Sequence, residues 1–189
     1  MGTFHAGTSI SEIYLERHGF WVEYPRIFGL GTGFFNLREN GGLHFEDWLY
    51  TDGGGFVMLD NYRYVAIGIT FATLEIHWRD VDFPAEAAAA IAFAESLAES
   101  GFHHQHPEAP LTGLAARETM FQGRGAWRVT GLGSESSVSG GDYPIEWTIF
   151  ECPEADRLWA LVILADNVRY MDHLRTVQST FECPAANTE

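Results

Sequence analysis

The stretch Leu158-Trp159-Ala160-Leu161-Val162-Ile163-Leu164-Ala165, followed by Asp166-Asn167 and then Val168 to Phe181, decides the fold class. Its apolar run has strand length and falls well short of the ~18 apolar residues that a membrane helix needs. The segment after it changes period. Tyr170, Met171, Leu174, Val177 and Phe181 recur at helical spacing, and Asp166 or Asn167 supplies the N-cap, so the sequence predicts a helix over about 168–181.

Working outward from that strand–helix pair, three β-like stretches precede it, at Ala115–Phe121, Gly125–Leu132 and Ile145–Cys152, with a glycine and serine loop over 131–141. Before them, Pro84 to Ser100 reads as a helix. Proline opens it, Gly101 closes it, and Ala87, Ala90, Ile91, Ala94, Leu97 and Ala98 share one face. A small-residue face of that kind lets a helix axis lie close to a sheet. Further upstream, residues 12–24 predict a hairpin about His18-Gly19, and Leu43–Tyr50 with Gly55–Asp60 predict a second about Thr51–Gly54. Tyr62 to Thr73, with Val65, Ile67, Ile69 and Phe71 alternating, reads as one long strand. Strands, helix, strands, helix make an α+β single domain over 1–189 with a largely antiparallel sheet and a central and a C-terminal helix packed on it.

Composition narrows the function classes. Eleven basic against 26 acidic residues give a net charge of −15 over 189 residues. Such a surface repels phosphate backbones and anionic lipid, so neither nucleic acid nor membrane is an expected partner. All the cations are arginines, which excludes lysine Schiff-base and P-loop lysine chemistry. The N-terminus carries no cationic and apolar leader pattern, and a cytoplasmic location is expected.

The order of elements resembles the Mog1/PsbP-like family, whose fold is an α/β/α sandwich and which includes bacterial members of unknown role. Gly19-Phe20-Trp21-Val22-Glu23-Tyr24-Pro25 resembles its opening strand, and the alanine-rich helix with Gly125-Ala126-Trp127-Arg128-Val129 resembles its middle. Arg157-Leu158-Trp159-Ala160-Leu161-Val162 and the helix closing on Gln178-Ser179-Thr180-Phe181 resemble its end, although Thr180 interrupts the family's Ser-Phe. The resemblance implies a partner-binding or accessory protein without enzymatic activity.

Candidate chemistry is sparse. His103 and His106, three apart in His103-His104-Gln105-His106, are the candidate metal ligands, with zinc as the metal they would take; otherwise no cofactor is expected. Cys152 and Cys183 repeat a Phe-Glu-Cys-Pro context and should finish at the same end of the domain. They stand as two ordinary thiols, a disulfide, or part of a Cys/His metal site, and a cytosol would keep them reduced. Gly29-Leu30-Gly31-Thr32-Gly33 lacks the strand and helix of a dinucleotide fingerprint, and Ser134 lacks a nucleophile elbow.

Aromatic clustering is the strongest non-local signal, because the segment from Phe20 to Tyr64 has roughly double the chain's overall aromatic density. Trp21, Phe28, Phe34, Phe35, Trp48 and Phe56 are therefore the candidate partner-binding residues, facing a protein with a basic surface. An apolar small-ligand carrier using the same aromatics is the alternative, and a metal-assisted hydrolase using His103 and His106 is a further one.

Eight histidines carry one expectation. Histidine ordinarily titrates between about pH 5 and 8, so acidification removes about half of the net negative charge. Self-repulsion falls with it, and sedimentation should show more association at about pH 5 than at about pH 7. Identical profiles would contradict this.

Overall fold

The computed structural model describes residues 3–6, 10–15, 20–25, 42–49, 55–65, 68–98, 111–134, 142–152, 157–165 and 168–184, with backbone only up to residue 71. Strands β1 (Thr3–Ala6), β2 (Ile10–Leu15) and β3 (Phe20–Pro25) form a three-stranded antiparallel sheet in the order β1-β2-β3. The second sheet has seven antiparallel strands. They are β4 (Gly42–Leu49), β5 (Gly55–Val65), β6 (Gly68–Arg79), β7 (Leu111–Phe121), β8 (Arg124–Ser134), β9 (Asp142–Cys152) and β10 (Arg157–Ala165). Their order is β4-β5-β6-β10-β9-β8-β7. Helix α1 (Ala87–Ala98) follows β6, and α2 (Val168–Ser179) follows β10.

The last strand in sequence is the middle strand in space. β10 pairs with β6 on one side, Ala160 opposite His77, and with β9 on the other, Ala160 opposite Ile149. From Leu158 to Ala165 it is buried on both faces, which explains a run without alternation. One face, through Ala72, Leu74, Ile76, Trp159, Leu161 and Phe150, meets Met171, Leu174, Val177 and Phe181 of α2 and the segment after it. The opposite face, through Trp127, Val129, Ile145, Trp147 and Val162, meets Ala90, Ala94, Leu97 and Ala98 of α1. The expected α/β/α sandwich, with a central and a C-terminal helix on a largely antiparallel sheet, is what forms. α1 packs on β7 and β8, whereas α2 packs on β10 and β6 and also lies against β3.

The alanine face of α1 does what its composition predicts: Ala90, Ala94 and Leu97 lose all exposure. Its entry is fixed by Trp127, whose indole Nε1 donates to Pro84 O at 2.7 Å. The long strand expected over 62–73 is corrected. β5 and β6 are two strands of a hairpin, with Val65 opposite Gly68. The apolar alternation continues across the reversal because both arms are strands of the same period, and period alone carries no record of a turn between them. The β7–β8 hairpin turns at Gln122 and Gly123, both with positive φ (51° and 79°), which matches the twist that a two-residue hairpin loop needs.

The α2 interface contains a charge that sequence periodicity did not announce. Glu146 on β9 is 2% exposed, and its Oε2 accepts from Arg175 Nε at 3.2 Å and Nη2 at 3.0 Å. Arg128 Nε lies 3.3 Å from Glu146 Oε1, an ion pair without hydrogen-bonding geometry. Asp172 accepts from Arg175 Nη1 at 2.7 Å. Partial burial pulls the Arg175 guanidinium pKa down, but the bonds and charges of Glu146 and then Asp172 more than offset this, and it rises above its ordinary value. Gln178, also buried, donates through Nε2 to Leu161 O at 3.1 Å.

Both arginines keep contact with water, and Glu146 does not. Glu146→Leu removes the buried charge and should change stability by less than about 1 kcal/mol. Replacing Arg128 and Arg175 together by Met strands the carboxylate and should cost about 3–5 kcal/mol. Urea denaturation reads both, and equal losses would show that desolvation of Glu146 is not the deciding effect.

Candidate functional site

Cross-strand register assembles a patch that no single segment of sequence contains. Across β4, β5 and β6, Trp48 pairs with Phe56 and Phe56 with His77. Glu46 pairs with Met58 and Met58 with Glu75, while His44 pairs with Asp60 and Asp60 with Thr73. Residues directly opposite in an antiparallel pair share a face, with Cβ atoms about 5 Å apart. By register, three rows of three positions therefore lie on one face: Trp48, Phe56 and His77; Glu46, Met58 and Glu75; His44, Asp60 and Thr73.

That surface continues the α1 side of the sheet. On β10 the same rows carry Ala160, Val162 and Leu164, and on β9 Ile149, Trp147 and Ile145. The polar groups on β6 are deeply placed. His77 and Thr73 have no exposure, and Glu75 has 3%. His77 Nε2 lies 2.8 Å from Glu75 Oε2, both on β6 two residues apart. Placing an acid and a base side by side next to the apolar positions Ala160 and Val162 does little for stability, because such a pair must be desolvated.

A second observation lies in the same row as Glu75. Trp147 is fully buried on β9, with Val162 between it and Glu75, and its indole Nε1 has no hydrogen-bond acceptor. Trp127, one strand further, satisfies its own N–H on Pro84 O. A buried N–H without an acceptor among the described residues is uncommon, and it leaves a donor open on this face.

The sequence-derived candidates separate into three groups. Trp48 and Phe56 come together and lead, through register, to His77. Trp21 lies in the other sheet, on β3 opposite Tyr14. Phe28, Phe34, Phe35, His103 and His106 lie outside the described residues. Among the described residues no group of three or more His, Cys, Asp or Glu side chains gathers as a metal site. Cys152 and Cys183 are bonded to each other, Cα–Cα 5.6 Å, so of the three states open to them from sequence the disulfide is the one found, and neither thiol is left to ligate a metal.

Glu75, His77 and Trp147 escaped the sequence reading. The alternation Thr73, Glu75, His77 was visible, but it reads as the solvated side of a half-buried strand until the sheet is assembled. No helix among the described residues is long and apolar enough to cross a membrane. No protein-family profile matches the chain, and no curated protein matches it in sequence.

Substituting Glu75 tests the buried pair. Glu75→Leu removes the hydrogen-bond partner 2.8 Å from His77 Nε2 and should cost about 1–3 kcal/mol, whereas Glu75→Gln keeps a partner there and should cost distinctly less. Denaturation midpoints decide between them, and equal losses would assign the effect to charge rather than to the hydrogen bond.

Proposed function

We propose that this chain is a non-enzymatic binding module of Mog1/PsbP-like architecture, which holds a protein partner with a basic surface through its aromatic N-terminal half. The observation that carries the reading is the pairing of Trp48 with Phe56 on the outer hairpin of the seven-stranded sheet, where β4 is the last described strand. Edge hairpins with large aromatics suit partner recognition, because they combine apolar area with an unsatisfied backbone rim. The net charge of −15 favours a cationic partner and speeds its encounter. The family assignment is supported by the order of strands and helices and by the motif resemblances at Gly19–Pro25 and Gln178–Phe181. We place the protein in the cytoplasm, where the Cys152–Cys183 bridge would meet a reducing thiol pool.

A second reading rests on Trp147. Its orphaned N–H, the buried Glu75–His77 pair and the aromatic row together suit a small ligand with an apolar body and one acceptor group, seated on the α1 side of the sheet. The two readings part on which residues matter.

Affinity capture with the purified chain should recover a basic partner whose retention falls as salt rises, and Trp48→Ala should reduce that recovery at least tenfold. Unchanged recovery by Trp48→Ala removes this surface from partner binding. For the second reading, titration with an apolar fluorescent ligand should saturate at one site and weaken in Trp147→Phe, which keeps the ring bulk but loses the N–H. A linear, non-saturating signal would remove the carrier.

A further inference from the structure

The disulfide closes on the α2 face of the sheet, at the end where Cys152 pairs with Arg157, and its setting is unusual for a purely structural bridge. Cys152, at the end of β9, is fully buried, whereas Cys183, past the end of α2, is half-buried. Arg124 at the start of β8 donates from Nη1 to Cys183 Sγ at 2.9 Å. Arg124 also lines an open cleft of about 330 Å³ with Phe83, Gly125 and Glu151, the residue before Cys152. Cys183 Sγ thus has partial exposure and a fixed cation beside it, whereas Cys152 is fully buried.

The bridge is also not the sole tether of the C-terminal segment. Gln122 at the β7–β8 turn donates from Nε2 to Phe181 O and, at 3.3 Å, to Ser179 O. The Phe181 ring, fully buried, packs 5.6 Å from Phe150 and 5.5 Å from Trp159. Opening the S–S bond therefore leaves both sulfurs near each other and able to rejoin.

We propose that the Cys152–Cys183 pair is a reversible thiol–disulfide exchange site, in which Cys183 is the sulfur that a low-molecular-weight thiol attacks. This stands apart from the partner-binding reading and uses none of its residues. The attacking thiolate forms a bond to Cys183 Sγ, and the Cys152–Cys183 bond breaks. Its electron pair leaves on Cys152, which takes a proton from solvent. A second thiolate attacks the small thiol's own sulfur in the mixed disulfide, releasing the oxidised small disulfide and a Cys183 thiolate. In sum two small thiols are oxidised and the bridge is reduced by two electrons; the small disulfide drives the reverse. Arg124 holds the Cys183 thiolate by charge and hydrogen bonding, which lowers its pKa, while the apolar setting of Cys152 keeps that thiol protonated and a slow nucleophile. A mixed disulfide on Cys183 consequently persists long enough to be trapped.

The test uses the full chain in glutathione buffers ranging from oxidising to reducing, with acid quenching and peptide mass analysis. One glutathione on Cys183, none on Cys152, and an unchanged far-ultraviolet circular dichroism spectrum are expected. In Cys152→Ser, alkylation of Cys183 against pH should titrate below the ordinary thiol value of about 8.5, and adding Arg124→Gln should raise that midpoint by about one unit, about tenfold less thiolate at neutral pH. Should Cys152→Ser not fold, Arg124→Gln in the otherwise unaltered chain should lower the adduct yield several-fold. A bridge that yields to glutathione only when the chain unfolds, an adduct on Cys152, or a Cys183 midpoint indifferent to Arg124 would overturn the proposal.

Discussion

Strand β10 is the element on which the remaining architecture depends. It completes two antiparallel ladders at once, joining the β4–β5–β6 meander to the β7–β8–β9 meander, and it is covered on both faces. Without it each meander would expose a hydrophobic edge and an unsatisfied row of backbone groups. Its side chains also define the two cores, Leu161 and Ile163 toward α2 and Ala160 and Val162 toward the α1 side. Every position on the sheet, including the polar rows, takes its face from the parity that β10 imposes.

Among the described residues, buried carboxylates enter this sheet at Glu146 and Glu75 and are handled differently. Glu146 faces α2 and is neutralised by two arginines that still reach water, so the charge serves as a bolt between helix and sheet. Glu75 faces the other side and is paired with an equally buried imidazole, in the same row as an indole N–H without an acceptor. The first arrangement is explained by holding α2 in place. The second is difficult to explain by packing, since apolar residues of similar volume would avoid the desolvation.

How much of this could be read in the amino-acid order depends on range. The helices at 87–98 and 168–179 and the strands from 111 onward were legible, because periodicity and end signals are local and the helix caps, glycines and prolines sit where those elements stop. The β5–β6 reversal was not, since both arms share one alternating pattern. Trp48 and Phe56 stood out as aromatics. Their alignment with His77 did not, because it requires β4, β5 and β6 to be in register. The cysteines illustrate the middle case: counting rise per residue brings them to one end of the domain, yet whether they meet depends on how α2 docks.

By itself, then, the sequence determined the α+β class, the helices, the strongly acidic surface and the absence of lysine chemistry, all of which follow from composition and from spacing over a few residues. Only the tertiary structure decided that the last strand lies in the middle, that Glu75, His77 and Trp147 share a buried face, and that Arg124 stands beside Cys183. The reason is physical. Strand pairing order and register are settled by which apolar faces can be buried together across the whole sheet, and a shift of one residue would send each of these groups to the opposite face.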